Sequence, residues 1–293
     1  MSIVPKAIPD IGVPRSLRPI RWNPAPAIRL SLWFHIGGVV LALAYPGYWL
    51  AVVGILASNH ALLGLFGMWP KSRLLGANLI RLPEAAARRG EVALTFDDGP
   101  DEQVTPRVLD LLDRHGAKAS FFCIAERAAA HPDLVRDIVR RGHSVENHSY
   151  RHSNAFAWYG LRALRREVEA AQKVIEGITG RYPVFFRAPA GMRSPLLDPV
   201  MAWTGMRYIS WTRRGYDAVR GDPVGVLRRL TRGLDAGDVL LLHDGSPAST
   251  PAGQPVVLAV LPELLDRLAS RGLKVVSLPT AFDSAGFDDG LKL

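Results

Sequence analysis

The pattern of hydrophobic and polar positions divides the chain into two parts. No Asp, Glu, Lys or Arg occurs from Leu30 to Pro70, which is enough for two helices that each need about 20 residues to cross a bilayer core. The break is expected at residues 45–48, where Pro and Gly turn the chain. Aromatic residues, which favour membrane interfaces, occur at Trp33, Phe34, Tyr45, Tyr48, Trp49 and Trp69. The pattern predicts a transmembrane helical hairpin.

Two other interpretations of this stretch are weaker. A secretory signal peptide does not normally follow a proline-rich segment such as residues 1–29, and no small-residue cleavage site is clear. A pair of core helices in a soluble protein normally carries a charged face, which is missing here. His35 and His60 lie inside the stretch, where ionisable residues are functional candidates. We expect instead neutral imidazoles that are hydrogen-bonded within the hairpin.

Beyond Arg89, short apolar runs alternate with amphipathic stretches. Strands are predicted at residues 92–96, 119–124, 184–187, 208–211, 239–243 and 274–278, and helices at residues 106–115, 132–141, 161–178, 198–204, 224–234 and 257–270. Strands separated by helices of this length indicate βα units and a parallel sheet, most simply a barrel. The expected fold class is therefore α/β, a parallel (β/α) barrel preceded by the helical hairpin.

The excess of basic residues is confined to the N-terminal part of the chain. The first 90 residues contain ten Lys and Arg against two acidic residues, so they carry +8 of the net charge of +9. The remainder is nearly neutral and has no broad basic face for phosphates. Nucleic acid is therefore not an expected partner, and 48% hydrophobic residues are sufficient to fill a folded core.

Polar clusters follow several of the predicted strands. In parallel barrels, functional groups lie at the carboxyl ends of strands. Asp97 and Asp98 end the first predicted strand, on a loop that Gly99 and Pro100 turn. Two like charges so close together are costly unless a cation shares them, although an Asp-Asp-Gly turn is also common on protein surfaces.

A second cluster contains His148 and His152. On one turn of helix, residues four apart face the same way and could bind one ion, although this spacing can arise by chance among eight histidines. With Asp98 they form a three-ligand set of the open, catalytic kind, which leaves a position for water. Zinc suits two imidazoles and a carboxylate, and cobalt, nickel or iron would also fit.

Five blocks of the sequence resemble the polysaccharide deacetylases of the NodB-homology type, carbohydrate esterase family 4. The blocks are residues 95–100, 148–152, 187–191, 211–217 and 240–243. They occur in the order found in that family, and all but the degenerate fourth block are specific in combination. The resemblance spans residues 91–278 and implies a distorted (β/α) barrel that removes an N-acyl group from an amino sugar.

The resemblance also implies a role for each site residue. Those assigned to the metal are Asp98, His148 and His152. Asp97 is the general base, positioned by Arg187, and His243 is the general acid, oriented by Asp217. The backbone N–H of Ala190 helps to stabilise the oxyanion. Such neighbours keep the pKa values of the base and the acid apart.

Two departures from the family pattern affect the substrate more than the chemistry. Ala190 and Ala218 stand where the family has aromatic residues that line the sugar groove. Arg213 and Arg214 stand where the family often has an acid, and they could favour an anionic substrate such as a phosphate-linked sugar. The alternative is a pair of exposed arginines. Asp217 lies in the same degenerate block.

Cys123 is the single cysteine of the chain and lies in the apolar run 121–124. A buried thiol behaves as a small hydrophobic group, so we do not expect a nucleophile there. One cysteine forms no intramolecular disulfide.

These observations divide the chain into five predicted segments. They are a basic proline-rich segment (1–29), two membrane-spanning helices (30–70), a basic linker (71–90), the catalytic domain (91–280) and a C-terminal tail (281–293). The residues that flank the spans are Arg15, Arg18, Arg21, Arg29, Lys71, Arg73, Arg81, Arg88 and Arg89. Because two spans return the chain to one side, the positive-inside rule places the barrel in the cytoplasm, on a bacterial-type inner membrane. If the short first span fails to cross, the barrel lies outside.

Three functional hypotheses follow. The first is an amidase that acts on an N-acylated amino sugar attached to a lipid, with membrane lipid as a second partner. The second is a deacetylase of a polymer such as chitin-like glycan, poly-N-acetylglucosamine or peptidoglycan. The third is a catalytically silent membrane scaffold that binds metal or glycan, which is disfavoured because no ligand and no base is missing.

Overall fold

The computed structural model describes residues 22–283. Most of the predicted proline-rich segment and the end of the predicted tail, residues 1–21 and 284–293, lie outside the described residues. The flanking residues Arg15, Arg18 and Arg21 belong to that part. The described residues form a helical hairpin followed by an α/β barrel.

The apolar stretch forms two helices, α1 (Pro26–Ala44) and α2 (Trp49–Met68), joined by one 3-10 turn at Pro46–Tyr48. The chain therefore turns where the sequence predicts. By length and composition, both helices are long and apolar enough to cross a membrane. In the most apolar part of each candidate span, only 6% of the residues of Pro26–Ala44 and 22% of those of Pro46–Met68 are buried inside the protein. A core helix of a soluble protein buries one face, so this exposure favours candidate membrane spans.

Polar residues inside the hairpin are hydrogen-bonded within it. The Asn59 amide of α2 donates to the Ser31 hydroxyl of α1 at 2.8 Å. The Nδ1 atoms of His35 and His60 donate to the backbone oxygens of Ser31 and Leu56 at 2.7 and 2.8 Å. Unsatisfied polar groups are costly in hydrocarbon, so these bonds stabilise the hairpin. The two histidines are bonded as the sequence predicts.

Beyond Gly90 the chain forms a curled sheet. Its strands are β1 (Glu91–Asp97), β2 (Ser120–Cys123), β3 (Ser144–Asn147), β4 (Phe185–Phe186), β5 (Arg207–Tyr208), β6 (Arg213–Arg214), β7 (Val239–His243) and β8 (Lys274–Val276). Their order is β5-β4-β3-β2-β1-β7-β6, with β8 beside β1, and all pairs are parallel. The predicted parallel (β/α) barrel is therefore confirmed.

Helices surround this sheet. They are α3 (Glu84–Arg88), α4 (Thr105–Arg114), α5 (Ala125–Ala130), α6 (Pro132–Arg140), α7 (Leu161–Thr179), α8 (Leu197–Thr204), α9 (Pro223–Thr231), α10 (Val256–Ser270) and α11 (Leu278–Asp283). The six predicted helices correspond to α4 and to α6 through α10. The other three have five or six residues each, which is too short for a helical period to be visible.

Strands β3 and β6 are absent from the predicted set because their sequences are polar. In β3, the buried Glu146 carboxylate accepts hydrogen bonds from the backbone N–H groups of Val184 and Phe185, both at 2.9 Å. The Asn147 amide donates to the carbonyl of Val168 at 3.0 Å. Backbone partners thus permit burial of polar side chains, which a hydrophobic pattern does not reveal.

Alternate residues of β1 face opposite sides, as in any strand. Val92, Leu94 and Phe96 pack outward in one core cluster with α4 and α10. Ala93 packs in a second cluster with inward residues of neighbouring strands. Asp97 continues the inward set, so its carboxylate lies inside the barrel at the carboxyl ends of the strands.

The chain between α2 and β1 is packed along the barrel. Leu79 forms a bridge with Ile209, next to β5, and Arg81 forms one with Asp238, next to β7. The Arg81 guanidinium also pairs with the Asp238 carboxylate at 3.0 Å. These contacts hold the segment between α2 and β1 against the sheet. The division into a linker at residues 71–90 and a domain at residues 91–280 stays a prediction.

Candidate metal centre and active site

The two consecutive aspartates at the end of β1 point to different partners. Asp98 has a left-handed backbone (φ 71°), and a Cβ placed on Gly245 would lie 2.1 Å from its carbonyl oxygen. Gly245 therefore permits the tight turn around Asp98. Asp97 is buried, and its Oδ1 atom lies 2.6 Å from the Arg187 guanidinium. The alternative of an ordinary exposed turn does not fit this burial.

His148 and His152 lie on a loop after β3 and not on one turn of a helix. Ser149 and His152 have left-handed φ values of 66° and 52°. The Ser149 hydroxyl accepts a hydrogen bond from the His152 N–H at 3.0 Å, and the Asn147 side chain accepts one from the Ser149 N–H at 2.9 Å. Local side-chain bonds thus replace the helix in bringing the two imidazoles together.

The predicted ligand atoms converge. The Oδ1 atom of Asp98 lies 3.2 Å from His148 Nε2 and 3.1 Å from His152 Nε2. One ligand atom from each of the three residues lies within 4.8 Å of the others, a spacing that could hold a metal ion. Two imidazoles and a carboxylate therefore fit a divalent cation.

The tautomer of His148 is set by the hydrogen bond of its Nδ1 atom. Its Nδ1 atom donates to the carbonyl of Arg187 at 2.9 Å, so in the neutral ring Nε2 carries the lone pair that a metal ion requires. Metal-binding histidines commonly have such a carbonyl partner, which fixes the tautomer and the ring. The bond supports His148 as a ligand.

The three groups also shift one another's pKa values. Burial opposes ionisation of Asp98, but the hydrogen bond and charge of His148 and the charges of His152 and His243 outweigh it and lower the pKa of Asp98. Burial, then repulsion from His148, lowers the pKa of His152. Burial likewise acts to lower the pKa of His148, yet the charges of Asp97 and Asp98 raise it overall. An ionised carboxylate beside two imidazoles provides a suitable electrostatic setting for a cation.

Arg187 holds the other carboxylate in place. Its fully buried guanidinium donates to Asp97 Oδ1 at 2.6 Å, to the Thr95 hydroxyl at 2.9 Å and to the carbonyls of Ser210 and Ile209 at 2.9 and 3.3 Å. A buried charge is tolerated when such partners surround it. The position of the Asp97 carboxylate is therefore fixed by a network that joins β1 to the segments directly after β4 and β5.

His243 faces Asp97 from the adjacent strand, because the two are register partners in β1 and β7. Asp217 accepts from the backbone N–H of His243 at 2.7 Å and from its Nδ1 at 2.9 Å, which leaves Nε2 for the site. Burial acts to lower the pKa of His243, but the bond and charge of Asp217, with the charges of Asp97 and Asp98, raise it overall. The degenerate fourth block thus still supplies the partner of His243.

The remaining predicted positions lie around this centre. Ala190 is exposed on the turn Pro189–Gly191 and has φ 55°. Arg213 is bound by the Asp238 carboxylate and two carbonyls, whereas Arg214 stacks on aromatic rings. Cys123 is buried, and burial raises the pKa of its thiol. It packs as the predicted small hydrophobic group.

Sequence reasoning missed Asp244, which follows the proposed acid. Its buried carboxylate accepts a hydrogen bond from the Thr105 hydroxyl at 2.6 Å. Burial is the main cause that raises the pKa of Asp244 to about 7. The carboxylate also lies under Gly99, where a Cβ would approach within 2.3 Å, so it supports the loop of the two aspartates. Its only signal in the sequence is its position directly after His243.

Fold and site together define a (β/α)-barrel hydrolase of the NodB-homology type. The chain belongs to the polysaccharide deacetylase family, whose sequence profile matches residues 84–209. It is 32% identical over 200 residues to a chitooligosaccharide deacetylase of Azorhizobium caulinodans, covering 65% of this chain and 94% of that protein. The family assignment from the motif blocks is therefore confirmed.

Solved structures agree in fold. The Bc1960 peptidoglycan N-acetylglucosamine deacetylase is 28% identical, with a TM-score of 0.63 over 70% of this chain and 92% of that chain. BA3943 is a pseudoenzyme of the same family, and a mutant of it has restored enzymatic activity. This mutant is 25% identical to the present chain, with a TM-score of 0.63 over 71% of each chain. The fold thus occurs in both active and inactive proteins. Whether this protein is an active enzyme must therefore be inferred from the residues of its site.

Proposed function

We propose that the protein is a metal-dependent hydrolase that removes an N-acyl group, most simply acetyl, from an amino sugar. The observation that carries this proposal is the open ligand set of Asp98, His148 and His152 next to Asp97 and His243. A base and an acid on neighbouring strands, beside a three-ligand metal set, provide the groups that amide hydrolysis requires. Loss of amine-bearing glycans or glycolipids from cells that lack the gene tests the proposal.

Each residue has a separate task in this reaction. A divalent ion held by the three ligands would supply Lewis-acid polarisation of the amide carbonyl. Asp97, fixed by Arg187, accepts a proton from the attacking water. His243, whose pKa Asp217 acts to raise, donates a proton to the departing amine, and the N–H of Ala190 offers a hydrogen bond to the oxyanion. Zinc suits the ligands, as do cobalt, nickel and iron.

The substrate class follows from the relatives and from the groove. The matched relatives act on chitooligosaccharide or on peptidoglycan N-acetylglucosamine, which supports an N-acylated amino sugar in a glycan or in a lipid-linked saccharide. Ala190 and Ala218 supply no aromatic ring at the two positions where the family pattern has one, so sugar stacking at those two positions is weaker. The pseudoenzyme relative keeps a silent metal- or glycan-binding scaffold as the second candidate.

The hairpin supports a membrane location, with membrane lipid as a partner. Arg29 precedes the first span, while Lys71 and Arg73 follow the second, and the turn between the spans is uncharged. The positive-inside rule then places the barrel on the cytoplasmic side. The extracytoplasmic side is the alternative if α1 does not cross the membrane.

The substitution Asp217→Asn is expected to shift the alkaline limb of kcat/KM to lower pH. The pKa of His243 is raised above its ordinary value of about 6.5, and the bond and charge of Asp217 are the leading causes that raise it. An acid must be protonated, so activity is present below this pKa and is lost as the pH rises through it. Profiles of both enzymes, with Asp133→Asn at an exposed carboxylate as control, measure the shift. An unmoved limb would exclude His243 as the acid that Asp217 supports.

A fluorescent protein fused to the C-terminus is expected to be active, and alkaline phosphatase at the same place inactive. Phosphatase folds only outside the cytoplasm, whereas two membrane spans return the barrel to the cytoplasm. The same reporters inserted at Pro46–Tyr48 should give the reverse result and serve as the control. Strong phosphatase activity at the C-terminus would refute the cytoplasmic orientation and favour a polymer outside the cell.

A further inference from the structure

We propose that the active site takes a saccharide carried by a membrane lipid through a phosphate, and that Arg214 binds this phosphate. The inference rests on the proposed function and names its substrate class. Two sets of contacts support it. The end of α2 packs on the wall of the site, and an unpaired guanidinium lies beside the same wall.

The last turn of α2 lies directly against the loop that carries Ala190. The backbone N–H of Arg193 donates to the carbonyl of Gly67 at 2.8 Å. The two segments are so close that a Cβ on Gly67 would lie 2.3 Å from the carbonyl oxygen of Arg193. No side chain separates the end of the candidate membrane helix from this loop.

The residues after α2 continue the contact toward the proposed base. The carbonyl of Pro70 accepts from the Ser210 hydroxyl at 2.5 Å, and the Lys71 ammonium donates to the carbonyl of Thr212 at 2.7 Å. The carbonyl of Ser210 accepts in turn from the Arg187 guanidinium at 2.9 Å. Hydrogen bonds through Ser210 and Arg187 therefore link Pro70, two residues after α2, to the carboxylate of the proposed base.

The apolar surface of α2 reaches its final residue. Leu65 and Met68 are each 55% exposed, and Trp69 directly after the helix is 64% exposed. Trp favours the membrane interface, and the exposed Lys71 follows it. The bilayer surface is therefore expected at Trp69, which holds the mouth of the site at the level of the headgroups. A saccharide attached to a lipid is already concentrated there, whereas a soluble glycan is not.

Arg214 supplies the cation. It is the register partner of Leu241, whose side chain faces the barrel interior, so Arg214 faces the same side. Its guanidinium carbon lies 5.2 Å from the ring centroid of Trp211 and 4.9 Å from that of Tyr216. Among residues 22–283 no carboxylate pairs with it, and its Nε is buried without a hydrogen-bond partner. The adjacent Arg213, by contrast, already has a carboxylate.

A guanidinium with unused donors binds phosphate in a two-pronged geometry. A buried Nε without a hydrogen-bond partner is costly, and a phosphate oxygen of the substrate would supply that partner. Trp211 contacts both Arg214 and Arg187, whose guanidinium carbon is 5.8 Å from the same ring. The phosphate therefore belongs on the sugar that bears the N-acyl group or on its neighbour.

The test measures acetate release by the full-length, metal-loaded protein in phosphatidylcholine vesicles. The vesicles contain either N-acetylglucosaminyl farnesyl phosphate or the uncharged farnesyl N-acetylglucosaminide. Chitotetraose and N-acetylglucosamine 1-phosphate are the soluble substrates. We expect the lipid phosphate to have the lowest KM. Arg214→Gln should raise that KM roughly tenfold or more, as loss of a charge-assisted bond implies, with kcat little changed and with no effect on the uncharged glycolipid.

Two further variants sharpen the result. Arg214→Lys keeps the charge and should restore part of the affinity, while Arg166→Gln on the exposed face of α7 should change nothing. An equal rise of KM on both glycolipids, or a KM for the soluble sugar phosphate as low as for the lipid phosphate, overturns the inference. Turnover of chitotetraose without preference for the lipid phosphate overturns this inference but leaves the proposed function intact. No acetate from any substrate overturns the proposed function as well.

Discussion

The substitution Asp97→Asn is expected to lower kcat by about 10²–10⁴-fold, the usual contribution of a general base, without loss of bound metal. The amide retains an oxygen for the hydrogen bond from Arg187 but does not accept a proton at neutral pH. Asp97 lies 3.8 Å from His148 Nε2, whereas Asp98 lies within 3.2 Å of both imidazoles. The ligand set should therefore survive. Steady-state deacetylation and elemental analysis of the same preparation measure both results.

The neighbouring carboxylate provides the matched control for this experiment. Asp98→Asn is expected to lose metal as well as activity, because it changes a ligand rather than the base. The buried Arg187 loses its counter-charge in Asp97→Asn, so the unfolding temperature of each variant separates lost chemistry from lost structure. A folded Asp97→Asn enzyme with near wild-type kcat would exclude Asp97 as the base and favour the silent scaffold.

The double substitution His148→Ala/His152→Ala is expected to remove the bound divalent metal and with it the activity. Only Asp98 of the three ligands remains, and one carboxylate does not hold a transition-metal ion against water. Elemental analysis of the purified proteins gives the metal content. The double substitution His115→Ala/His131→Ala, at two histidines outside the site, should leave the metal in place. Undiminished metal in the first variant would refute the ligand assignment.

The sequence was sufficient for features that depend on local pattern. The charge-free stretch predicted residues 30–70 as two helices, and the structure has them from Pro26 to Met68. Proline at the first helical position favours the early start. The βα alternation likewise predicted a parallel sheet. The carboxyl-end rule then brought Asp97, Asp98 and His243 to one edge of it.

Features that depend on distant contacts were not predictable from local pattern. The imidazoles of His148 and His152 converge through a left-handed loop at Ser149, a geometry that their spacing does not distinguish from a helical turn. Strand β6 is only two residues long, so the side on which Arg214 lies became visible only through its pairing with β7. The contact of Gly67 with the Ala190 loop joins segments far apart in the chain.

Release of acetate and free amine from an N-acetylated amino-sugar saccharide tests metal-dependent deacetylation most directly. The purified full-length protein is assayed on chitotetraose and on the lipid-linked sugar, first as prepared, then after chelation, and then after Zn²⁺ is restored. The expected result is acetate and amine in equal amounts, loss of both on chelation, and their recovery with the metal. Absence of both products with every substrate and divalent metal, or turnover that chelation leaves unchanged, would contradict it.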